Sequence, residues 1–506
     1  MTAASHSIGT DAAPGTTVAV VGGGIAGLSA AWALSSAAPE VRVVVLEAEE
    51  RLGGKLRTAT VGGRDVDLGP DAFLARRPEA VELCRELGLG DELVAPGSRT
   101  AYVWARGQLR PLPGGLALGV PTRLGPLARS GIVSPRGTAR AALDLLARPR
   151  RRAGDRGGPD RPVAEITRRH LGLEVTARLV DPLIGGIHAG DTRRMSTAAV
   201  FPALLDADST GGSLMRALRS AAPASAPAVP GHVPTGDGGA PVFHSVRGGL
   251  SRLVEELARA LGTRRVEVRL QTPVEHLELR PADAEASRRG DCGTRWALHT
   301  PQGAVEADAV VIATPAGPAA HLLGAVDHSV ASMVAAIDYA DVTLVTLQVP
   351  EHGVGRPLEG TGFLVPAGGG HLVTACTWLS SKWPELRRPG DVLLRASTGR
   401  SGDDRPASLS DDEILRRVLD ELGPMMALHG APTQAVVTRW VGAFPQYAVG
   451  HVERVAAIEE AMARLPGAAL AGAAYRGVGI PACIASGRRA ADAVLRRPAS
   501  AGQRTR

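Results

Sequence analysis

Three glycines and one acid carry the first chemical signal in this chain of 506 residues. Gly22, Gly24 and Gly27 stand in G-x-G-x-x-G spacing, and Glu47 follows further along. In such a turn the first glycine permits the tight bend. The second lets a pyrophosphate approach the backbone, and the third lets a helix pack closely on a sheet. The free N–H groups at the helix start hold the phosphate charge. An acid in the position of Glu47 can accept hydrogen bonds from both hydroxyls of an adenosine ribose, which argues against a 2′-phosphate and hence against NADP. Gly23, Ile25, Ala26 and Ala48 complete the same two turns. Arg51-Leu52-Gly53-Gly54-Lys55 adds two cations beside adjacent glycines. That loop suits a second phosphate or the far side of the cofactor, and a solvated turn is its plain alternative.

These residues need a strand–turn–helix–strand unit to hold them, and the pattern supplies one. Val18 to Val21 reads as a buried strand, Ile25 to Ala37 as a helix and Val41 to Leu46 as a second strand. From Pro78 to about Leu183 the pattern turns helical, with Gly88 as a C-cap. Strand patterns return at Val266–Leu270, Trp296–His299 and Val305–Ala313. A nucleotide-binding domain interrupted by other chain is therefore expected, over 16–61, 242–316 and 465–498. A substrate domain takes 62–69, 185–241 and 317–464, with 221–241 a flexible loop. A helical domain takes 70–184, and 1–15 and 499–506 are a disordered leader and a tail.

A chain of this length can enclose a large core, and its composition, 44% hydrophobic and 21% charged, is that of an ordinary globular protein. No apolar run is long enough to span a bilayer, and the leader lacks a signal-peptide pattern. Cytoplasmic residence is expected, with peripheral contact at the inner face of a membrane left open. The stretch Pro111–Val133 reads either as a membrane-touching surface or as helix–helix core. Cys84, Cys292, Cys376 and Cys483 are too scattered for a zinc site or a disulfide framework, so reduced, buried thiols and no metal are expected. The net charge of +6 suits an anionic small molecule or a membrane surface. Nucleic-acid motifs are absent, and the arginines of 148–161 read as a solvated loop.

Further segments carry a resemblance. Leu68-Gly69-Pro70-Asp71 follows the R-x-G-G loop, and Gly472 to Ile480 forms a glycine loop before the last helix. The order glycine triplet, acid, R-x-G-G, G-P-D resembles the FAD-dependent amine oxidase superfamily. G-V-G-I-P at 477–481, G-G-I-H-A-G-D at 185–191, T-A-C-T-W with K-W-P at 374–384, and T-R-W with P-Q-Y at 438–447 resemble its porphyrinogen oxidases of the Gram-positive bacterial type. The resemblance runs from about residue 17 to 495. It implies an α/β fold of the p-hydroxybenzoate-hydroxylase kind: a Rossmann-like FAD domain, a mixed-sheet substrate domain and a helical domain. It also implies FAD as cofactor, with Leu68, Gly69, Pro70, Asp71, Val274, Trp440, Gly472, Val478, Gly479 and Ile480 joining the cofactor set. One departure is Ala482, where relatives commonly carry an acid.

The implied chemistry is removal of hydrogen from a porphyrinogen, with coproporphyrinogen III preferred over protoporphyrinogen IX. Three hydride transfers to FAD are expected, with dioxygen as final acceptor and peroxide as product. Arg77 is the expected partner of a substrate propionate. A surface cation is its plain alternative. Ile187, Phe363 and Tyr447 are candidates for the cavity wall, and His188 for moving protons; ordinary core is the alternative for each. The cofactor itself carries the redox step. A ferrochelatase partner for product hand-off and either a monomer or a homodimer fit the resemblance. Two rivals remain at this point. An amine or carotenoid oxidase would show a cysteine–flavin attachment sequence, which is not evident. A non-catalytic escort protein would have lost the glycine triplet, Glu47 and R-x-G-G, which are intact.

Overall fold

A computed structural model describes residues 16–148, 158–221, 241–281 and 294–496. Cys292, the leader, the tail and most of the expected loops at 148–161 and 221–241 lie outside the described residues. The apolar run Thr17–Val21 (β1) is buried along its length, as a strand covered on both faces must be. It pairs in parallel with Arg42–Leu46 (β2) on one side and Ala309–Ile312 on the other. Glu267–Arg269 and Ala468–Leu470 add the outer strands, so three separated stretches of chain build one parallel sheet of five strands.

Helix α1 (Ile25–Ala37) covers one face of this sheet together with the last helix, Ile480–Leu495. Their contact is close because small residues line it: a Cβ on Gly487 would come within 2.1 Å of the Ala26 carbonyl oxygen. The other face is covered by the antiparallel strands His276–Pro281, Thr294–Thr300 and Gly303–Ala307 and by helix Ala316–Leu323. The fold is the expected α/β arrangement.

A second sheet has seven strands, in the order Gln434–Pro445, Tyr339–Pro350, Asp391–Thr398, Val373–Trp378, Gly362–Leu364, Tyr102–Ala105 and Gln108–Pro111. Its pairings are antiparallel except for Phe363 beside Tyr102. The last two strands belong to the segment 70–184, for which helix was expected. Alternation decides it: in Tyr102-Val103-Trp104-Ala105, Val103 and Ala105 are buried while the two aromatic residues are half-buried. Helix Asp411–Met426, started by a Ser410/Glu413 capping box, packs Ile414, Val418 and Leu422 on this sheet.

The remaining helices enclose a third core, in which Leu116, Val120, Leu127, Ile132 and Val133 are buried. Pro111–Val133 is thus core at these positions. One turn of this layer is uncommon: Thr176–Gly185 is a π-helix, and the chain leaves the short turn after it through Ala189 in a left-handed conformation, φ 46°. Cys84, Cys376 and Cys483 are free and buried, as expected.

The helical layer also holds a buried ionic cluster. Asp144 accepts from the Leu214 and Met215 backbone N–H groups at 3.0 Å, and from Ser213 Oγ at 2.7 Å. His170 bridges Asp144 (2.7 Å) and Asp208 (2.9 Å). Burial opposes charge on His170, but these hydrogen bonds and charges outweigh it and raise its pKa to about 9. An unfolded histidine titrates near about 6.5. The raised folded value therefore stabilises fully below that pH, and the contribution is lost as pH rises through about 9. Melting temperatures taken across this range should fall with rising pH in the natural chain. The slope should flatten in His170→Gln.

Candidate functional site

The glycine turn is built as the motif requires. Gly22 has φ +105° and donates its N–H to the Leu46 carbonyl at 2.8 Å. A Cβ on Gly27 would lie 1.9 Å from the Gly22 oxygen, whereas one on Gly24 would meet nothing within 4 Å. That difference separates the packing glycine from the one that leaves backbone open to a phosphate. Ile25 and Ala26 begin α1, whose first N–H groups and dipole point into the same opening.

Glu47 is buried at the end of β2. Its Oε2 accepts from the Gly23 N–H at 2.6 Å and its Oε1 from Glu49 N–H at 2.9 Å, so the carboxylate is aimed before any ribose arrives. The Thr272 N–H donates to the Glu47 carbonyl (2.8 Å), which brings the Thr272–Val274 segment alongside; Ala48 is exposed at the rim.

The R-x-G-G loop pairs with the glycine turn through Gly53 N–H to Gly23 oxygen, 2.8 Å. Arg51 donates to the carbonyls of Gly54 (2.6 Å), Leu52 and Leu56 (both 3.2 Å), so it shapes the loop from within. Lys55 is half-buried, and burial lowers its pKa.

At the other end, Gly472 (φ +124°) donates to Ser486 Oγ at 3.1 Å, and Gly477 (φ +134°) donates to the Tyr447 hydroxyl at 2.8 Å. Val478 is half-buried; Gly479 caps the last helix, and Ile480 begins it. Ala482 packs beneath Gly477, where a Cβ would stand 2.8 Å away.

Between the two ends runs Asp67 to Asp71. Trp440 Nε1 donates to the Leu68 carbonyl at 2.8 Å, and a Cβ on Gly69 would lie 3.4 Å from the Trp440 ring. Pro70 is exposed beside it. The buried Arg395 donates to the carbonyls of Asp67 (2.8 Å) and Gly69 (2.9 Å), and its Nη2 lies 3.1 Å from Asp71 Oδ1. Asp71 Oδ2 accepts from Lys382 Nζ at 2.8 Å and Trp383 Nε1 at 3.0 Å. Burial would raise the Asp71 pKa, but Lys382 and Arg395 hold it well below the ordinary carboxylate range. Asp67 behaves in the opposite sense: burial pushes it up to about 6, against hydrogen bonds from Thr58 and the Leu250 N–H.

Asp71 also lines a cavity of about 480 Å³. Leu112, Leu183, Ile187, Phe243, Phe363 and Leu364 give it apolar walls. Its charged lining is Asp71, Arg99 and Lys382. Arg99 stands on a loop and Lys382 ends the short helix Leu379–Lys382; the two segments adjoin, since the Gly97 N–H donates to the Lys382 carbonyl at 2.8 Å. Mostly apolar walls with two cations suit a largely apolar ligand that carries carboxylate.

Three expectations need correction. Arg77 is outside this lining: it precedes helix Pro78–Glu86, its side chain is 52% exposed, and it approaches Glu79 at 3.6 Å. Tyr447 is not in the wall, because its hydroxyl also donates to the Ala473 carbonyl (2.5 Å) and so clamps the C-terminal glycine loop. His188 is absent from this lining; it is half-buried with its ring 6.1 Å from that of Tyr447, and burial lowers its pKa to about 4. Ile187 and Phe363 line this cavity. Sequence reasoning missed Arg99 and Arg395, and took Lys382 only as part of a motif. Arg395 did leave a signal, a single cation in the apolar strand V-L-L-R-A; Arg99 left none.

The sequence profile of the flavin containing amine oxidoreductase family matches residues 25–495. The chain is 34% identical to the coproporphyrinogen III oxidase of Bacillus subtilis, over 94% of this chain and 97% of that protein. It is 31% identical to the protoporphyrinogen oxidase of Macaca fascicularis, over 95% and 98%. A solved Exiguobacterium sp. 255-15 protein, named provisionally as a protoporphyrinogen oxidase, superposes with a TM-score of 0.80 at 31% identity, covering 95% of this chain and 99% of that one.

The open backbone at Gly24 and the aimed carboxylate of Glu47 fit an adenine dinucleotide. Glu47→Gln should weaken its retention roughly ten- to a hundredfold, since a hydrogen bond to a charged group is worth roughly 1.5–3 kcal/mol. Flavin release followed by fluorescence on dilution checks this.

Proposed function

We propose that this chain, which belongs to the flavin containing amine oxidoreductase family, oxidises coproporphyrinogen III to coproporphyrin III in haem biosynthesis. The chain is an FAD-dependent oxidoreductase; its relatives named coproporphyrinogen III oxidase match it at 30–35% identity over nearly their whole length. The observation that carries the substrate reading is a cavity with apolar walls whose charged lining holds two cations, Arg99 and Lys382, against one carboxylate, Asp71. A porphyrinogen is a broad apolar ring with carboxylates on its edge, and it matches that distribution.

FAD, when bound, accepts hydride, and the protein's part is to bind and orient. Gly22 to Gly27 and Glu47 would hold the pyrophosphate and ribose. The 472–480 loop and the dipole of the last helix would face the reduced ring's negative charge. The walls at Ile187 and Phe363 set the plane of the substrate, and Arg99 and Lys382 set its direction by gripping propionates. Holding a reacting carbon against its acceptor in this way removes much of the entropic barrier. Electron-rich pyrroles stabilise the cation left behind, so no strong base at carbon is needed. Dioxygen is the final acceptor in this reading. Exposed Leu143 and Leu146, beside Arg140 and Arg148, support peripheral contact with an anionic membrane surface. No helix among the described residues is long and apolar enough to cross a membrane.

Anaerobic mixing of the holoprotein with coproporphyrinogen III should bleach the flavin's visible band faster than mixing with protoporphyrinogen IX. A reversed order would assign the second substrate, and no bleaching with either would end the reading. Lys382→Met and Arg99→Met should each raise KM for coproporphyrinogen about tenfold with a smaller change in kcat, as loss of uniform binding requires. Steady-state kinetics with the two variants checks this.

A further inference from the structure

Each oxidative round on a porphyrinogen must dispose of a proton as well as a hydride, and few groups in the cavity can take it. Arg99 and Lys382 are cations. The Cys376 thiol is pushed up to about 12 by burial. His188 is not in the lining. Asp71 is the one carboxylate that lines the cavity among the described residues.

Asp71 has a second property. Behind it lies a smaller polar pocket of about 230 Å³, lined by Asp67, Asp71 and Trp383, with Arg247, Glu385 and Arg388 at its exposed rim. Among the described residues, Asp71 alone is shared by the linings of the two cavities. Asp67, on the pocket side, is buried and accepts from Thr58 Oγ1 at 2.6 Å and Leu250 N–H at 2.9 Å. Polar cavities of this size hold ordered water that can bridge two carboxyl groups.

Resting on the porphyrinogen reading, we infer that Asp71 accepts the pyrrole N–H proton and passes it through the rear pocket to Asp67 and then to solvent. The balance is complete. A meso C–H bond breaks and its hydrogen leaves with both electrons to the flavin. The ring cation so formed, in which the nitrogen π pair already makes C=N⁺–H, then loses the N–H proton to an Asp71 oxygen, and the N–H electron pair stays on nitrogen as its lone pair. The substrate has lost two hydrogens and two electrons. Dioxygen takes two electrons and two protons to become peroxide.

The order follows from acidity. Asp71, held by Lys382 and Arg395, is a weak base and leaves a neutral pyrrole alone, but the cation produced by hydride loss is a far stronger acid. Asp67 binds a proton more firmly than Asp71, so transfer runs from the substrate cavity outward. This makes Asp71 a catalytic residue and Asp67 its relay.

The test is an anaerobic single turnover of the holoprotein with coproporphyrinogen III, with flavin bleaching and proton release to a pH-indicator dye recorded together. In the natural chain the two should keep step. In Asp71→Asn bleaching should persist while proton release lags by roughly 100-fold, the scale of a lost general base; Asp71→Glu should restore most of it. Lys382→Met removes the partner of Asp71 but keeps its carboxylate, so release should still keep step with bleaching. Equal lag in Asp71→Asn and Lys382→Met would reduce Asp71 to a structural role and overturn the inference. So would unaltered release in Asp71→Asn. Asp67→Asn should delay release to the dye without delaying the substrate's colour change, and should remove a protonated-carboxyl C=O band from the infrared spectrum of the resting protein under mildly acidic conditions. Undelayed release with that band intact would overturn the relay. If the natural chain fails to bleach with any porphyrinogen, the functional reading has failed, and that outcome is distinct from each of these.

Discussion

Asp71 is held by two cations that come from elsewhere in the chain, and the geometry of both halves of the site depends on that contact. The carboxylate stands on the loop that follows the dinucleotide unit. Arg395 and Lys382 belong to the seven-stranded sheet and the short helix beside it. Removing charges from water costs several kcal/mol each, and only good pairing offsets it; losing one partner of a buried pair costs about 3–5 kcal/mol. Arg395 spends its remaining donor capacity on the carbonyls of Asp67 and Gly69. The 67–71 segment is thereby tied to the seven-stranded sheet where Asp71 meets the cavity.

A second constraint is steric. The nucleotide-binding sheet is assembled from strands more than 400 residues apart, and its first and last helices close over it. Gly27 keeps the first helix close to the Gly22 turn and Gly487 keeps the last helix close to the first, since a Cβ at either would strike backbone. Because the last helix also carries the 472–480 loop at its start, packing between the two helices sets where the loop stands relative to the glycine turn. Tyr447 adds a clamp from the substrate sheet, through hydrogen bonds to Ala473 and Gly477. Both ends of the cofactor cradle are thus referred to the same frame.

The cofactor end is legible in the sequence because its chemistry is local. A turn that needs positive φ at Gly22, an open backbone at Gly24 and an acid at the next strand end are all written within about one βαβ unit. The substrate end is not legible in that way. Arg77 is suitable by position, yet the chain directs it to the surface beside Glu79, while Arg99 reaches the cavity from a loop with no motif around it. Tyr447 and His188 are near the site in sequence pattern and are committed to packing instead. The strands at 102–111 are masked by the helical character of their surroundings, although their own alternation is clear.

What the sequence alone determined was the dinucleotide fold, the discontinuity of its domain and the family, since each rests on short spacings or on order along the chain. What the tertiary structure decided was which charges meet. Asp71, Arg395 and Lys382 are separated by up to 324 positions, and no periodicity or spacing records that the two cations meet on one carboxylate. Long-range pairing of buried charge is set by the folding of one sheet against another, and that is information a local pattern does not contain.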